Sequence, residues 1–149
     1  MKKGVFLLLI LIIQPVLAIN IELSKPAYSP YETLQATISG DFLVNLKPEN
    51  IFFYSGKKQV SMVYDLARIN ETYYLYALLP EKEYNLSLII KNIKYYDNGS
   101  ISSLPTEKNF TIKQENLTLS FIPGFVIARN DFSILFENKA NKKINFKAS

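Results

Sequence analysis

Apolar and polar side chains alternate through much of this chain. From residue 32 to residue 39, Leu34, Ala36 and Ile38 fall on one side, and Thr33, Gln35 and Thr37 on the other. From residue 84 to residue 90, Tyr84, Leu86, Leu88 and Ile90 oppose Asn85, Ser87 and the less polar Ile89. A period of two is the signature of a strand with one buried face. Residues 51–54, 59–69, 72–79 and 107–112 read as further strands. Ser55-Gly56-Lys57 and Asn70-Glu71 are natural hairpin turns between them. Asp97-Asn98-Gly99-Ser100 is the clearest turn, because Asn-Gly favours the positive backbone angles of a tight hairpin. Nothing from residue 19 to residue 112 keeps a helical period. Strand signals about ten residues apart predict an all-β, antiparallel sandwich over residues 19–113.

The first 18 residues follow another pattern. Met1-Lys2-Lys3 is a basic start, residues 5–13 form an unbroken apolar run, and Val16-Leu17-Ala18 supplies a cleavage site. This is the layout of a secretory signal peptide over residues 1–18. The run is shorter than the roughly 20 apolar residues of a spanning helix, and Gln14 and Pro15 interrupt it. Cleavage before Ile19 is therefore expected, with a retained N-terminal anchor as the alternative. The expected address is secreted or cell-surface.

A second β unit is expected over residues 114–149. Leu117, Leu119 and Phe121 alternate with Thr118 and Ser120, Pro123-Gly124 breaks the run, and residues 125–127, 132–136 and 144–146 read as short strands. This stretch is well below the roughly 100 residues of a whole sandwich. It reads as an incomplete unit that would not fold alone.

Composition narrows the chemistry. Of the 149 residues none is Cys, His or Trp, while ten are Tyr and ten Phe. Packing, not disulfides, must hold the fold. Without His there is no Ser-His or Cys-His nucleophile pair and no His-based zinc or copper site. The formal net charge is +4, but Lys2 and Lys3 lie in the signal segment, and Lys139, Lys142, Lys143 and Lys147 lie at the C-terminal end. The stretch between is nearly neutral, so no basic patch calls for nucleic acid. No cofactor is expected.

Two stretches resemble known extracellular domains. Lys25-Pro26-Ala27-Tyr28-Ser29-Pro30-Tyr31-Glu32-Thr33-Leu34 is similar to the first turn of macroglobulin-like and related immunoglobulin-like domains, which often read Lys-Pro-x-Tyr-x-Pro-Gly-Glu-Thr. Tyr31 stands where that family usually has Gly, a departure that leaves the form of the turn open. Leu79-Pro80-Glu81-Lys82-Glu83-Tyr84-Asn85-Leu86 resembles the corner that leads into strand F of fibronectin type III domains, with one spacer missing. That resemblance implies a corner role for Tyr84, its hydroxyl bonding back to a nearby backbone group. Together the resemblances cover residues 20–112 and imply an immunoglobulin-like fold, not a particular function.

Five Asn-x-Ser/Thr sequons begin at Asn70, Asn85, Asn98, Asn109 and Asn116. They are the candidate N-glycosylation sites. Ser55-Gly56-Lys57-Lys58 matches a Ser-x-x-Lys pattern, but a hairpin turn denies it the helical geometry of acyl transfer. Asp97-Asn98-Gly99 lacks the remaining ligands of a calcium loop, and Glu71, Glu81, Glu83 and Asp97 read as solvated turn residues. Among the tyrosines, Tyr74 and Tyr76 share one strand face opposite Tyr73. They are a candidate binding surface for sugar rings or a protein partner, set against the plainer reading of cross-strand packing.

These features lead to the expectation of a non-catalytic, exported cell-surface module, structural or adhesive and N-glycosylated. Its partners would be other envelope proteins or surface glycans. The membrane would be met only through an uncleaved signal segment. The alternative is a carbohydrate-binding accessory domain of a larger exported enzyme.

Overall fold

The structure is a computed structural model, and it describes residues 19–82, 84–113, 119–122, 126 and 130–138. The expected signal segment, Asn116 and the strands at 125–127 and 144–146 fall wholly or mostly outside these residues.

The fold is all-β. Thirteen strands are described: β1 Ile19–Leu23, β2 Ala27–Tyr28, β3 Thr33–Gly40, β4 Ile51–Ser55, β5 Lys58–Val60, β6 Tyr64–Ile69, β7 Thr72–Leu78, β8 Tyr84–Ile90, β9 Tyr95–Asp97, β10 Ser100–Ser102, β11 Thr106–Ile112, β12 Leu119–Ile122 and β13 Leu135–Asn138. A single 3-10 turn, Pro48–Asn50, precedes β4. One sheet has the order β1-β3-β7-β6, all antiparallel. The other runs β2-β11-β8-β4-β5, antiparallel except where β2 lies parallel to β11.

Alternation explains why the two sheets bury a common core. Ile19 and Ile21 of β1, Leu34, Ala36 and Ile38 of β3, and Tyr73, Leu75 and Ala77 of β7 line one side. Ile51 and Phe53 of β4, Leu86, Leu88 and Ile90 of β8, and Phe110 and Ile112 of β11 line the other. A one-residue slip in any of these strands would turn its apolar set to water, so the register is strongly specified. Truncating one of the fully buried leucines to Ala costs about 2–5 kcal/mol in such a core.

Between β1 and β8 the chain changes sheet five times: β1 to β2, β2 to β3, β3 to β4, β5 to β6 and β7 to β8. After β1, Ser24-Lys25-Pro26 carries it to β2, where Pro26 accepts from Thr111 N at 3.2 Å through its carbonyl. The following turn is closed by Glu32. Its carboxylate pairs with Lys25 and accepts from Ser29 N at 2.8 Å. Tyr31 has φ +64°. The turn thus places Tyr31 in the left-handed region, which glycine adopts freely and a non-glycine residue uncommonly.

The change from β5 to β6 corrects the expectation of one strand over residues 59–69. The run is two strands in different sheets. β5 pairs with β4, and β6 pairs with β7. Ser61-Met62-Val63 crosses between them, with Met62 packed against the core. A continuous β-rich run carries no local mark of where it leaves a sheet.

The expected hairpins form. Gly56 (φ +57°) opens the β4–β5 turn, Asn70 (φ +55°) the β6–β7 turn, and Asn98 (φ +49°) with Gly99 (φ +80°) the β9–β10 turn. Two consecutive positive φ angles are those of a type I′ turn. In the last unit β12 and β13 pair antiparallel, with Phe121 opposite Phe136 and their rings edge to face at 5.2 Å. The second strand starts at Leu135, later than the expected 132. Thr33 Oγ1 donates to the Phe121 carbonyl at 2.8 Å, tying this hairpin to β3.

Candidate functional site

Four of the five sequons lie among the described residues, and each acceptor asparagine is exposed: Asn70, Asn85, Asn98 and Asn109. Two sit in turns. The Asn70 carbonyl accepts from Arg68 Nε at 2.8 Å, which fixes the β6–β7 turn. Asn98 Nδ2 donates to Asp97 Oδ1 at 2.9 Å within the β9–β10 turn. Asparagine tolerates the left-handed conformation of both turns better than most residues.

Asn85 and Asn109 sit on strands. In β8 and β11, Leu86 and Phe110 point into the core, so the flanking residues face outward. The antiparallel register sets Asn85 opposite Thr111 and Asn109 opposite Ser87. Ser87 Oγ donates to Asn109 Oδ1 at 2.7 Å. A shallow depression of about 430 Å³ covers this patch, lined by Pro26, Gly56, Asn85, Ser87, Asn109 and Thr111. Beside it, Lys91 Nζ donates to Tyr54 Oη at 2.7 Å and lies 4.1 Å from the Phe52 ring centroid. The Lys91 ammonium so sits over two aromatic faces, a cation–π arrangement.

Tyr74 and Tyr76 lie on the opposite sheet, on the outer face of β7, each half-buried. Cross-strand neighbours are Thr37 and Ala67 for Tyr74, and Gln35 and Asp65 for Tyr76. Burial raises the Tyr76 hydroxyl pKa, and the nearby Asp65 carboxylate adds to the effect. A groove of about 330 Å³ runs beside Tyr74, with Glu22, Gln35 and Thr37 in its wall. The strand sequons at Asn85 and Asn109 and this tyrosine pair therefore lie on different sheets, whereas Asn70 is in the β6–β7 turn at the end of the tyrosine sheet.

Tyr84 opens β8, half-buried and packed against the core. Other tyrosines pin the loops by their hydroxyls, a role the sequence pattern does not assign them. Tyr73 Oη accepts from Leu46 N at 3.0 Å, Tyr64 Oη donates to the Pro48 carbonyl at 2.8 Å, and Tyr95 Oη donates to the Leu104 carbonyl at 3.0 Å. Tyr28 Oη shares a hydrogen bond with Ser24 Oγ at 3.2 Å. Each buries an aromatic body while its polar tip satisfies a loop group. Their only sequence signal is an aromatic at an inward or rim position near a strand end.

Ser55 and Lys58 face each other across the β4–β5 turn rather than along a helix. Among the described residues no group of three or more Asp, Glu, His or Cys is placed to hold a metal ion. Among them, too, no helix is long and apolar enough to cross a membrane. Compared with known proteins, the chain matches no family model, no curated protein and no solved structure.

Proposed function

We propose that this chain is a non-catalytic, N-glycosylated module of an exported cell-surface protein, with a structural or adhesive role. The observation that carries the reading is the exposure of all four described sequon asparagines, in a chain whose core needs no disulfide. Acceptors on two turns and one sheet face would dress the module with glycans while leaving its core apolar. The signal-like N-terminus supports the same address.

The strand orders support an immunoglobulin-like sandwich as the finer fold. The order β1-β3-β7-β6 corresponds to A-B-E-D, and β11-β8-β4 to G-F-C, with β5 beyond C. Such modules bind through faces, loops and edges and serve many functions.

The test is expression of the full chain, with its own N-terminus, in a host that performs N-glycosylation. Secretion of a protein starting near Ile19 and carrying one or more glycans by intact mass is the expected result. An unglycosylated protein retained in the cytosol would reject the reading.

The groove beside Tyr74 favours a second reading, a carbohydrate-binding accessory domain. It is separated from the first by titration with oligosaccharides. Saturable binding lost in Tyr74→Ala, with the melting temperature kept, would favour the second reading.

A further inference from the structure

The pairing of β8 with β11 sets two sequons head to tail across a sheet. Asn85 lies opposite Thr111, Leu86 opposite Phe110, and Ser87 opposite Asn109. Each acceptor asparagine is thus directly across from the hydroxyl residue of the other sequon. We propose that Asn85 and Asn109 are fold-gated acceptors: they take an N-linked oligosaccharide only before β8 and β11 pair, whereas Asn70 and Asn98 stay open to modification in the folded protein. This rests on the glycoprotein reading above and adds to it the order of events.

The transfer is a substitution at a sugar carbon. The asparagine Nδ2 bonds to the anomeric carbon of a lipid-linked oligosaccharide, the bond from that carbon to the lipid phosphate breaks, the phosphate leaves with the electron pair, and the amide gives up one proton. The acceptor must present its carboxamide and the hydroxyl two residues later to the same enzyme. In the folded sheet one hydrogen bond takes a part from each sequon. Ser87 Oγ, the hydroxyl of the first, donates to Asn109 Oδ1, the carboxamide of the second, at 2.7 Å.

The backbone adds a second barrier. β8 and β11 pair along both whole sequons, β4 joins the far side of β8 from Ser87 onward, and β2 joins the far side of β11 from Thr111 onward. The middle residues of the two sequons, Leu86 and Phe110, are each 2% exposed. Enclosing either sequon in an enzyme groove means stripping an inner strand from its sheet and drawing its apolar residue from the core. Openings of inner strands require nearly global unfolding, a state populated at about one part in a thousand or less. The turn acceptors face neither a bond between sequons nor a buried middle residue, and the Asn98 Nδ2 bond to the adjacent Asp97 at 2.9 Å is exposed and local to one turn. Asn70 and Asn98 are exposed, with φ +55° and +49°, in short turns between hairpin strands.

A glycan installed early is compatible with the closed sheet. The Ser87 bond uses Asn109 Oδ1 and leaves Nδ2 out of it, and Asn109 is exposed. The depression of about 430 Å³ over this patch offers room for a first sugar.

The experiment compares two forms of the full chain made in a host without N-glycosylation. One is the folded wild type. The other is Leu88→Asp, which puts a carboxylate at a fully buried position outside both sequons, with its unfolding verified by circular dichroism. Each is incubated with an oligosaccharyltransferase and a lipid-linked oligosaccharide, and site occupancy is read by peptide mass spectrometry. The folded protein is expected to gain glycans at Asn70 and Asn98, with Asn85 and Asn109 at under about a tenth of that occupancy, and the unfolded variant to gain them at all four. Equal occupancy of strand and turn sites in the folded protein would overturn the gating. Modification of the turns only in the unfolded variant would overturn their post-folding role. No occupancy in either form would reject the glycoprotein reading, and the gating with it.

Discussion

Asn50 donates its side-chain amide to the Asn92 carbonyl at 3.0 Å, joining the turn before β4 to the loop after β8. The same amide reaches the Lys91 carbonyl at 3.3 Å, and Asn50 Oδ1 accepts from Lys47 N at 3.0 Å. Asn50 is one of only two buried polar residues among those described, at 8% exposure. A buried carboxamide is tolerated because both its ends are satisfied. Asn92, its partner, sits at φ +61°, held there while its carbonyl serves the loop.

Replacing Asn50 with Ala should therefore destabilise the protein by about 2–4 kcal/mol, since a backbone N–H and two carbonyls lose their partner. Asn50→Asp should be worse at neutral pH, because a carboxylate would face those same carbonyls. Its deficit should grow as pH rises from about 4, where the unfolded aspartate ionises first. Urea denaturation at several pH values measures both variants. A cost under about 0.5 kcal/mol for Asn50→Ala would show that water replaces the amide.

Tyr31 carries a conformational strain that glycine would relieve. A non-glycine residue in the left-handed region costs about 1–2 kcal/mol, against the roughly 0.5–1 kcal/mol of extra chain entropy that glycine loses. Tyr31→Gly should keep or raise stability, by up to about 1 kcal/mol. Tyr31→Val should lower it by more than about 1 kcal/mol, since a β-branched residue resists φ +64°. Calorimetric melting of the two variants gives the ranking. Valine matching glycine would mean that the turn rearranges.

How much of this was legible beforehand varies by element. The bounds of β8 and the inward faces of β3 and β8 could be read directly, because a strand with one buried face writes a period of two into its side chains. The strand β1 is not legible, although Ile19 and Ile21 alternate with Asn20 and Glu22, because it follows straight on from the apolar run at the start of the sequence. β2 is two residues long and parallel to a strand far along the chain, so no local pattern could announce it. The five sequons were plain, but the opposition of Asn109 to Ser87 depends on sheet register, which is set by the whole core. Tyr64, Tyr73 and Tyr95 were hidden for a like reason: their hydroxyl partners are backbone groups brought near by folding.

Alkaline pH should unsettle the fold through Tyr64. Burial raises its pKa above the usual 10.0, and Glu49 adds to the shift. A raised pKa means that the folded state holds the proton more tightly. Below about pH 10 both states are protonated and the full stability remains, while above it the unfolded tyrosine ionises first and stability falls until the folded-state pKa is passed. Tyr64→Phe should cost about 1 kcal/mol at pH 7 by losing the bond to Pro48, and should show a shallower decline above pH 10. Urea midpoints from pH 7 to 11 for the two proteins make the comparison. Parallel curves would place the alkaline loss elsewhere.

Neighbouring substitutions in β8 should separate the two faces of the strand. Leu86 is 2% exposed among core side chains, and Ser87 lies on the outer face bonded to Asn109. Leu86→Asp would bury a carboxylate with no partner, a penalty large enough to remove most of the 5–15 kcal/mol that holds a domain of this size. Ser87→Asp would keep its side chain in water. It would exchange the Ser87 donor for a negative charge beside Asn109, whose amide can turn to donate instead, at a cost of about 1 kcal/mol or less. The expected outcome is an unfolded Leu86→Asp and a Ser87→Asp that melts within several degrees of wild type. Equal melting temperatures would mean that the strand faces are reversed, and with them the outward placement of both strand sequons.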